Sequence, residues 1–355
     1  MLPTLSFSAF NSFFKSFFVS SPLALSSHYI SWHSSSSYSL AKICISLYRT
    51  NGYRNLTLLL PSYFCGQSLR FVRSLPFVEL YFYPITSSFS PDFKQIANDL
   101  CSTRDYIFMH VHYFGSYIDP SSSLEFCHLH NAVLIEDCTH LASPSLDFEF
   151  HGDFLLFSPY KFFALPPIAL TLSASPLGSD SFSKFPISFF WLFKRLIRLF
   201  FLFERRRFSP TRNSVDFYSF NSTIHSCAVQ HSSLLLSSPD KTISIRQSNY
   251  KLLLSVLSPI YGWTFVPLPN LLSPFLLTYI CDTVEISERR FARINSGMKV
   301  ALRWPDLPIE VLNKPDMFQP TIQASELSIH FMVHQSLNIA SVTKYLAPII
   351  YSPDF

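Results

Sequence analysis

IEDCTH at Ile135–His140 and GDFLLFSPYK at Gly152–Lys161 decide how this chain is read. In the first, Asp137 closes an apolar run that begins at Ala132; in the second, the apolar run Phe154–Phe157 is followed by a lone lysine, Lys161. Apolar runs of this length read as buried strands. The carboxyl ends of such strands are where α/β sheets collect ligands. Taken singly, an Asp at a strand end is most often a turn or helix cap, and a Lys is most often solvated. Together they define a candidate site, a carboxylate and an amine delivered by successive strands.

A carboxylate against a ring nitrogen and a lysine for a Schiff base are what pyridoxal phosphate requires of a protein. Asp137 and Lys161 are the candidates for those two roles.

The chain around this block has 355 residues, 48% of them hydrophobic, enough for one large domain and one smaller one. Its formal net charge of +4 is spread along the sequence with one local basic run, which gives no case for nucleic-acid binding. Seven cysteines without a C-x-x-C pair argue against a disulfide framework and against a zinc ribbon, and no metal site is expected. A reducing, cytoplasmic compartment fits. Residues 1–30 lack a basic region ahead of an unbroken apolar run and read as a peripheral lead-in. Only seven glycines are present, where average usage gives about 25. Turns and anion-binding loops must therefore be built from Ser, Asn and Pro, or be absent.

In chain order, SSSSYSLAKICISLYR (34–49) places Leu40, Ile43, Cys44 and Leu47 at helical spacing behind a serine cap run. LTLLLPSYFCG (56–66) is a short apolar strand ending in an aromatic turn, with Tyr63, Phe64 and Cys65 at its tip. FVELYFYP (77–84) reads as a strand and PDFKQIANDL (91–100) as a helix. Residues 106–111 read as a buried strand, and Asp119-Pro120 as a cap followed by proline at the first helical position. Strands alternating with helices imply a parallel, doubly wound sheet. Residues 176–210 carry a basic-aromatic run, FFWLFKRLIRLFFLFERRR. Its charges reject a spanning helix, which needs ~20 largely uncharged residues. Packing within the protein or its dimer is expected there, ahead of contact with an anionic membrane surface.

The two opening segments resemble the DegT/DnrJ-type aminotransferases, the sugar branch of the fold-type I pyridoxal phosphate enzymes. In that family "EDxAH" or "EDxAQ" is followed by "GDxxxFSxxK". VHYFG (111–115), "RxxNY" matched by Arg246, Asn249 and Tyr250, RWPDLP (303–308) and VHQSL (333–337) continue the likeness in the same order, over roughly residues 30–345. The family's "SGRxAL" is matched by Ser35–Leu40, with Ser36 and Ser37 in place of its Gly and Arg. Its "LPDGG" is replaced by a turn holding Pro166 and Pro167.

The resemblance implies a fold-type I large domain (31–240) with a mostly parallel doubly wound sheet, and a C-terminal helix with a smaller α+β domain (241–355). It implies pyridoxal 5'-phosphate as cofactor, with Lys161 forming the Schiff base and Asp137 holding the ring nitrogen. His140 would sit near the phenolic oxygen, and Ser36, Ser37 and Ser158 at the phosphate. Tyr63, Phe64 or Cys65 would wall the ring, with Cys65 carried forward among the cofactor contacts. Asn221 would reach toward the other subunit's cofactor, so a homodimer is implied. Glu136 and His112 are expected to make structural contacts, and Arg246, Asn249 and Tyr250 to connect domains. Trp304, His334 and Gln335 are candidate entrance residues. The activity implied is transfer of an amino group from an amino acid such as glutamate to a nucleotide-linked keto-sugar. The alternative is a catalytically retired homologue serving as a structural or membrane-surface interaction protein.

Overall fold

The computed structural model describes residues 28–351, except 51, 53–54, 87–88, 99, 101–103, 145–148, 164, 185–192, 194–222, 258–261 and 305. Asn221, most of the 176–210 segment and most of the lead-in lie outside the described residues.

A seven-stranded sheet, ordered β1-β7-β6-β5-β4-β2-β3, organises the first half of the chain. Its strands are β1 (Tyr29–His33), β2 (Leu56–Pro61), β3 (Val78–Tyr83), β4 (Asp105–Val111), β5 (Val133–Asp137), β6 (Phe154–Phe157) and β7 (Ala169–Ser173). Strands β2 to β6 are parallel, while β7 runs antiparallel to both β6 and β1. Strand β1 begins inside the stretch read as lead-in, so the sheet claims residues that the sequence reading left outside it.

Side chains alternate between two buried faces. Leu58, Leu60, Ile107, Met109, Ile135 and Leu156 share one core with Leu40, Ile43, Cys44 and Leu47 of the helix Ser36–Thr50. Leu59, Tyr83, Tyr106, Phe108 and Leu134 face the other way, against Phe126 and Cys127 of the helix Ser121–His130. Covering both faces is what an apolar parallel sheet requires, and each fully buried Leu or Phe contributes roughly 1.5–3 kcal/mol. Helix Ser121–His130 starts one residue later than expected: Pro120 holds the cap position, and Asp119 accepts the Ser121 amide at 3.0 Å. Proline at the cap position supplies no side-chain acceptor, and Asp119, one residue earlier, takes the first helical amide instead.

Short parallel strands β8 (Ser181–Phe182) and β9 (Thr223–Ile224) precede the helices Ser226–Ser237 and Asp240–Leu257. A second sheet, β10-β11-β13-β12, is antiparallel throughout. It is built from Trp263–Phe265, Leu276–Cys281, Ser328–Met332 and Ala301–Leu302, which are β10, β11, β13 and β12 in that order. Leu277, Tyr279, Ile329 and Phe331 bury one face of it against Tyr250, Leu253 and Leu257 of the long helix and Val342, Leu346 and Ile350 of the last one. Among the described residues no helix is long and apolar enough to cross a membrane, and the six described cysteines are free.

The sheet order reverses between β2 and β4, so residues following the parallel strands gather at one edge. Because β1 and β6 are both antiparallel to β7, they point the same way. Leu170 pairs with Trp32 on one side and Phe157 on the other, which sets the end of β1 level with the end of β6. Helix Ser36–Thr50 therefore opens at the edge where Ser158 and Lys161 emerge.

Candidate active site

Asp137 is the last residue of β5 and is 8% exposed. Its Oδ1 accepts the Thr139 amide at 2.9 Å, a local turn that fixes the residue two positions on. The Thr139 hydroxyl oxygen in turn accepts a hydrogen bond from Lys161 Nζ at 3.0 Å. Thr139 thus links the two residues, its backbone amide held by the Asp137 carboxylate and its hydroxyl holding the Lys161 amine, beyond the ends of two adjacent parallel strands. Lys161 is half-buried on the short helix Pro159–Phe162. Burial pulls its ammonium pKa below the usual lysine value, against the opposing charges of Asp137 and Cys65. The amine is accordingly easier to deprotonate than a surface lysine.

His140 stacks against Phe275 (ring centroids 4.6 Å apart, planes 17° apart) and lies nearly parallel to Phe114. The Phe114 amide donates to its Nδ1 at 3.3 Å, which leaves the proton of a neutral ring on Nε2. Burial first, and the neighbouring Lys161 charge second, hold its pKa well below the usual histidine range. His140 is a neutral donor at this site.

Ser158 caps the Lys161 turn and is 1% exposed, yet its hydroxyl has no partner; the buried hydroxyl of Ser37 is in the same position. A buried hydroxyl without a partner costs about 1–3 kcal/mol of desolvation, so such groups mark places where a ligand oxygen belongs. Ser36 and Ser37 open the helix Ser36–Thr50, whose first turn is capped by the Ser35 hydroxyl accepting the Tyr38 amide at 3.3 Å. The first amides of a helix are unpartnered donors and suit an anion. Half-buried Cys65 follows β2, close enough to affect the titration of both Lys161 and Tyr160. The fit to pyridoxal phosphate is therefore chemical as well as positional: a carboxylate, an amine with lowered pKa, and two orphaned hydroxyls beside a helix start.

A cavity of about 410 Å³ is lined by Lys161 and His140 together with Tyr160, Arg246, Trp304 and His334. Asp137, Ser36, Ser37 and Ser158 are not among its lining residues. Tyr63 does not sit free at this site. Its hydroxyl donates to the Trp304 carbonyl at 2.7 Å and tethers the turn after β2 to the second sheet's neighbourhood.

Glu136 points away from the site. His112 Nε2 donates to it at 2.8 Å, and the amides of His151 and Gly152 donate to its other oxygen at 2.6 and 2.5 Å. Cys138 places its sulfur near this pair. The other ring nitrogen of His112 accepts the Ile118 amide at 3.1 Å, so both nitrogens are committed and the cluster serves the fold.

Sequence reasoning missed Thr139, Tyr160, Phe275 and the place of Arg246. Ile243, Arg246, Tyr250, Leu253 and Leu257 fall at helical core spacing on one helix, and all are buried. An arginine inside that stripe was the legible signal.

Solved structures share this fold over nearly all of their length. Helicobacter pylori PseC, an aminotransferase involved in the biosynthesis of pseudoaminic acid, matches at a TM-score of 0.67 and 12% identity, over 98% of this chain and 98% of that one. E. coli GDP-4-keto-6-deoxy-D-mannose-3-dehydratase with bound hydrated PLP matches at 0.63 and 11%, over 98% and 92%. A DegT DnrJ EryC1 StrS aminotransferase from Brucella abortus matches at 0.62 and 10%, over 91% and 86%. No family model and no curated protein sequence matches the chain. At these identities the likeness establishes the fold.

Proposed function

We propose that this chain is a pyridoxal phosphate-dependent aminotransferase that moves an amino group from an amino acid such as glutamate to a nucleotide-linked keto-sugar. The observation that carries the reading is the Asp137–Thr139–Lys161 chain, with the orphaned hydroxyls of Ser37 and Ser158 at the same sheet edge. The substrate class is supported by the fold's occupants: one acts in pseudoaminic acid biosynthesis, and another is a keto-deoxymannose dehydratase that holds PLP.

When bound, the cofactor supplies an electron-withdrawing ring that stabilises negative charge on the substrate carbon. Asp137 is the residue to hold its ring nitrogen, His140 Nε2–H its phenolic oxygen, and Ser36, Ser37, Ser158 and the helix amides its phosphate. Cys65 belongs to the wall beside the amine. Lys161 holds the reactive amine and moves a proton at Nζ; burial lowers its pKa, which makes that proton easier to release than a surface lysine's. Thr139 orients Nζ through its hydroxyl. Phe275 and Phe114 fix the plane of His140 and keep water from its faces.

The working unit is a cytoplasmic homodimer in this reading, with Asn221 reaching the partner's site and the 176–210 segment packing within the protein or across the dimer. Residues 31–240 form the cofactor-binding domain and 241–355 the C-terminal helix and small domain. No observation among the described residues favours a retired scaffold.

The test is the visible spectrum of the purified protein with added pyridoxal phosphate, wild type against Lys161→Ala, before and after borohydride. A band that borohydride fixes covalently in wild type alone is the expected result. No band, or one indifferent to Lys161, overturns the proposal.

A further inference from the structure

The short helix Pro159–Phe162 brings two consecutive side chains to the cavity, Tyr160 and Lys161. Their turn is pinned. The Lys161 amide donates to the Ser158 carbonyl at 2.9 Å, the Phe163 amide to the Pro159 carbonyl at 2.9 Å, and Gln335 Nε2 to the Phe162 carbonyl. Tyr160 is half-buried, its ring packed against the core cluster that includes Phe157 and Phe162. Its hydroxyl makes no hydrogen bond among the described residues, and it is not one of their enclosed, unpartnered atoms, so the oxygen stays accessible. Burial first, and Cys65 second, push this phenol above the usual tyrosine value against the charge of Arg70, so it carries its proton at neutral pH.

Phe275, Leu302, Trp304, Met332 and Leu337 make much of the cavity wall apolar. When an amine condenses with an aldehyde or ketone, the carbonyl oxygen has to depart, and departure as hydroxide into apolar surroundings is costly. A proton donor beside the amine removes that cost. The other polar groups of the wall serve this poorly. Arg246 donates from Nε and Nη1 to Gln335 and to the carbonyls of Pro274 and Val333, and its Nη2 is enclosed. His334 accepts the Ser336 amide at Nδ1, and its Nε2 is enclosed. Burial keeps His140 neutral, and the N–H of a neutral imidazole, like the hydroxyl of a serine, is a weaker acid than a phenol.

We infer that Tyr160 is the acid partner of Lys161, its phenol protonating the oxygen that leaves when Nζ condenses with a carbonyl compound in this cavity. The role rests on the reading of Lys161 as the reactive amine. In the first step the Nζ lone pair forms the C–N bond, and the carbonyl oxygen takes up a proton that Nζ gives up, becoming a hydroxyl. In the second the nitrogen lone pair forms the C=N bond as the C–O bond breaks. The departing hydroxyl takes the phenol proton and leaves as water, and the phenolate regains a proton from the imine nitrogen. No oxidant, reductant or net proton is consumed.

The test uses benzaldehyde and the full chain without added cofactor. At about pH 8, samples are quenched with borohydride at intervals, and the benzyl adduct at Lys161 is followed by peptide mass spectrometry in wild type and Tyr160→Phe, with Lys161→Ala as the blank. Wild type should label at Lys161. Tyr160→Phe should reach the same final extent about a hundredfold more slowly, and imidazole buffer, a diffusible acid, should restore part of the rate. This variant deletes a hydroxyl that makes no hydrogen bond among the described residues, so the fold is not at stake. A residue that only shaped the wall would lower the final extent along with the rate and would not answer to imidazole. Equal rates in wild type and Tyr160→Phe, a final extent that falls with the rate, no rescue by imidazole, or no adduct at Lys161 in wild type overturns the assignment. The aldehyde series needs no pyridoxal phosphate: a cofactor band without the rate difference sinks Tyr160 alone, and the rate difference without a band sinks the aminotransferase reading alone.

Discussion

Replacing Gly115 by alanine should be among the most damaging single changes in this protein. Gly115 has a φ of +95°, directly after Phe114 at +56°. A Cβ built on it overlaps the Ser273 carbonyl oxygen and stands 2.7 Å from that carbonyl carbon and 3.0 Å from the Phe275 nitrogen. All are backbone atoms, so no side-chain rotation relieves the overlap. The segment in the way is pinned to this turn. Leu272 and Ser273 both donate to the Gly115 carbonyl at 3.0 Å, and Phe275 donates to the Phe114 carbonyl at 2.9 Å.

Making room for the methyl group breaks those three bonds, at about 1 kcal/mol each. The unfavourable φ adds roughly 1–3 kcal/mol. Gly115→Ala should therefore cost about 4–6 kcal/mol in urea unfolding. Gly178 is the internal control: its φ is +78° and its added Cβ meets nothing within 4 Å. Gly178→Ala should show the strain alone. The displacement also moves Phe275, whose ring lies on His140, so ligand binding in the cavity should fall with stability. If Gly115→Ala lies within about 1 kcal/mol of Gly178→Ala, the close-approach argument built on those three bonds fails.

Two further outcomes follow from buried polar groups. Burial lowers the pKa of His110 to about 4, His231 to about 4 and His330 to about 3, so the folded protein keeps these rings neutral while the unfolded chain protonates them near ~6.5. The unfolded state then binds more protons, so stability should fall as pH drops from ~6.5 toward 4, by up to ~1.4 kcal/mol per pH unit per histidine; a urea midpoint flat between pH 6.5 and 4.5 would contradict this. Ser158→Ala removes a buried hydroxyl that has no partner, and should raise the melting temperature of the cofactor-free protein slightly while weakening pyridoxal phosphate about tenfold. Lower thermal stability with unchanged cofactor affinity would show the hydroxyl to be structural.

How far the sequence could be read depended on whether the signal was local. The stripe Leu40, Ile43, Cys44 and Leu47 and the apolar runs ending at Asp137 and Phe157 are periodic patterns that need no partner to be recognised, and they form the elements expected. Strand β1 escaped because YISWH stands between serine-rich stretches, and its pairing with β7 reaches from residue 29 to residue 173. Thr139 escaped because its role depends on the turn set by Asp137 and on a lysine 22 positions away. Arg246 reads on its own helix as a domain connector. What singles it out, a buried guanidinium whose Nε and Nη1 donate to other parts of the chain, comes from contacts with residues 274, 333 and 335.

The scarcity of glycine raised the sharpest objection to an anion site, and the backbone answers it residue by residue. Left-handed turns are taken by Asn131, which ends the helix Ser121–His130, and by Asn270, both of a type that tolerates that conformation. Phe89 and Phe114 adopt it too, although a bulky side chain is strained there. Packing compensates Phe114: it is fully buried, meets Phe89 edge-on at 5.3 Å and Trp304 at 5.4 Å, and lends its amide to His140. Glycine is kept at Gly115, where a Cβ would strike backbone. At the start of the helix Ser36–Thr50, serine supplies hydroxyls in addition to amides. In the proposed reading, serine where the resembled motif has glycine exchanges one means of holding a phosphate for another, and the unpartnered hydroxyls of Ser37 and Ser158 are where that exchange is tested.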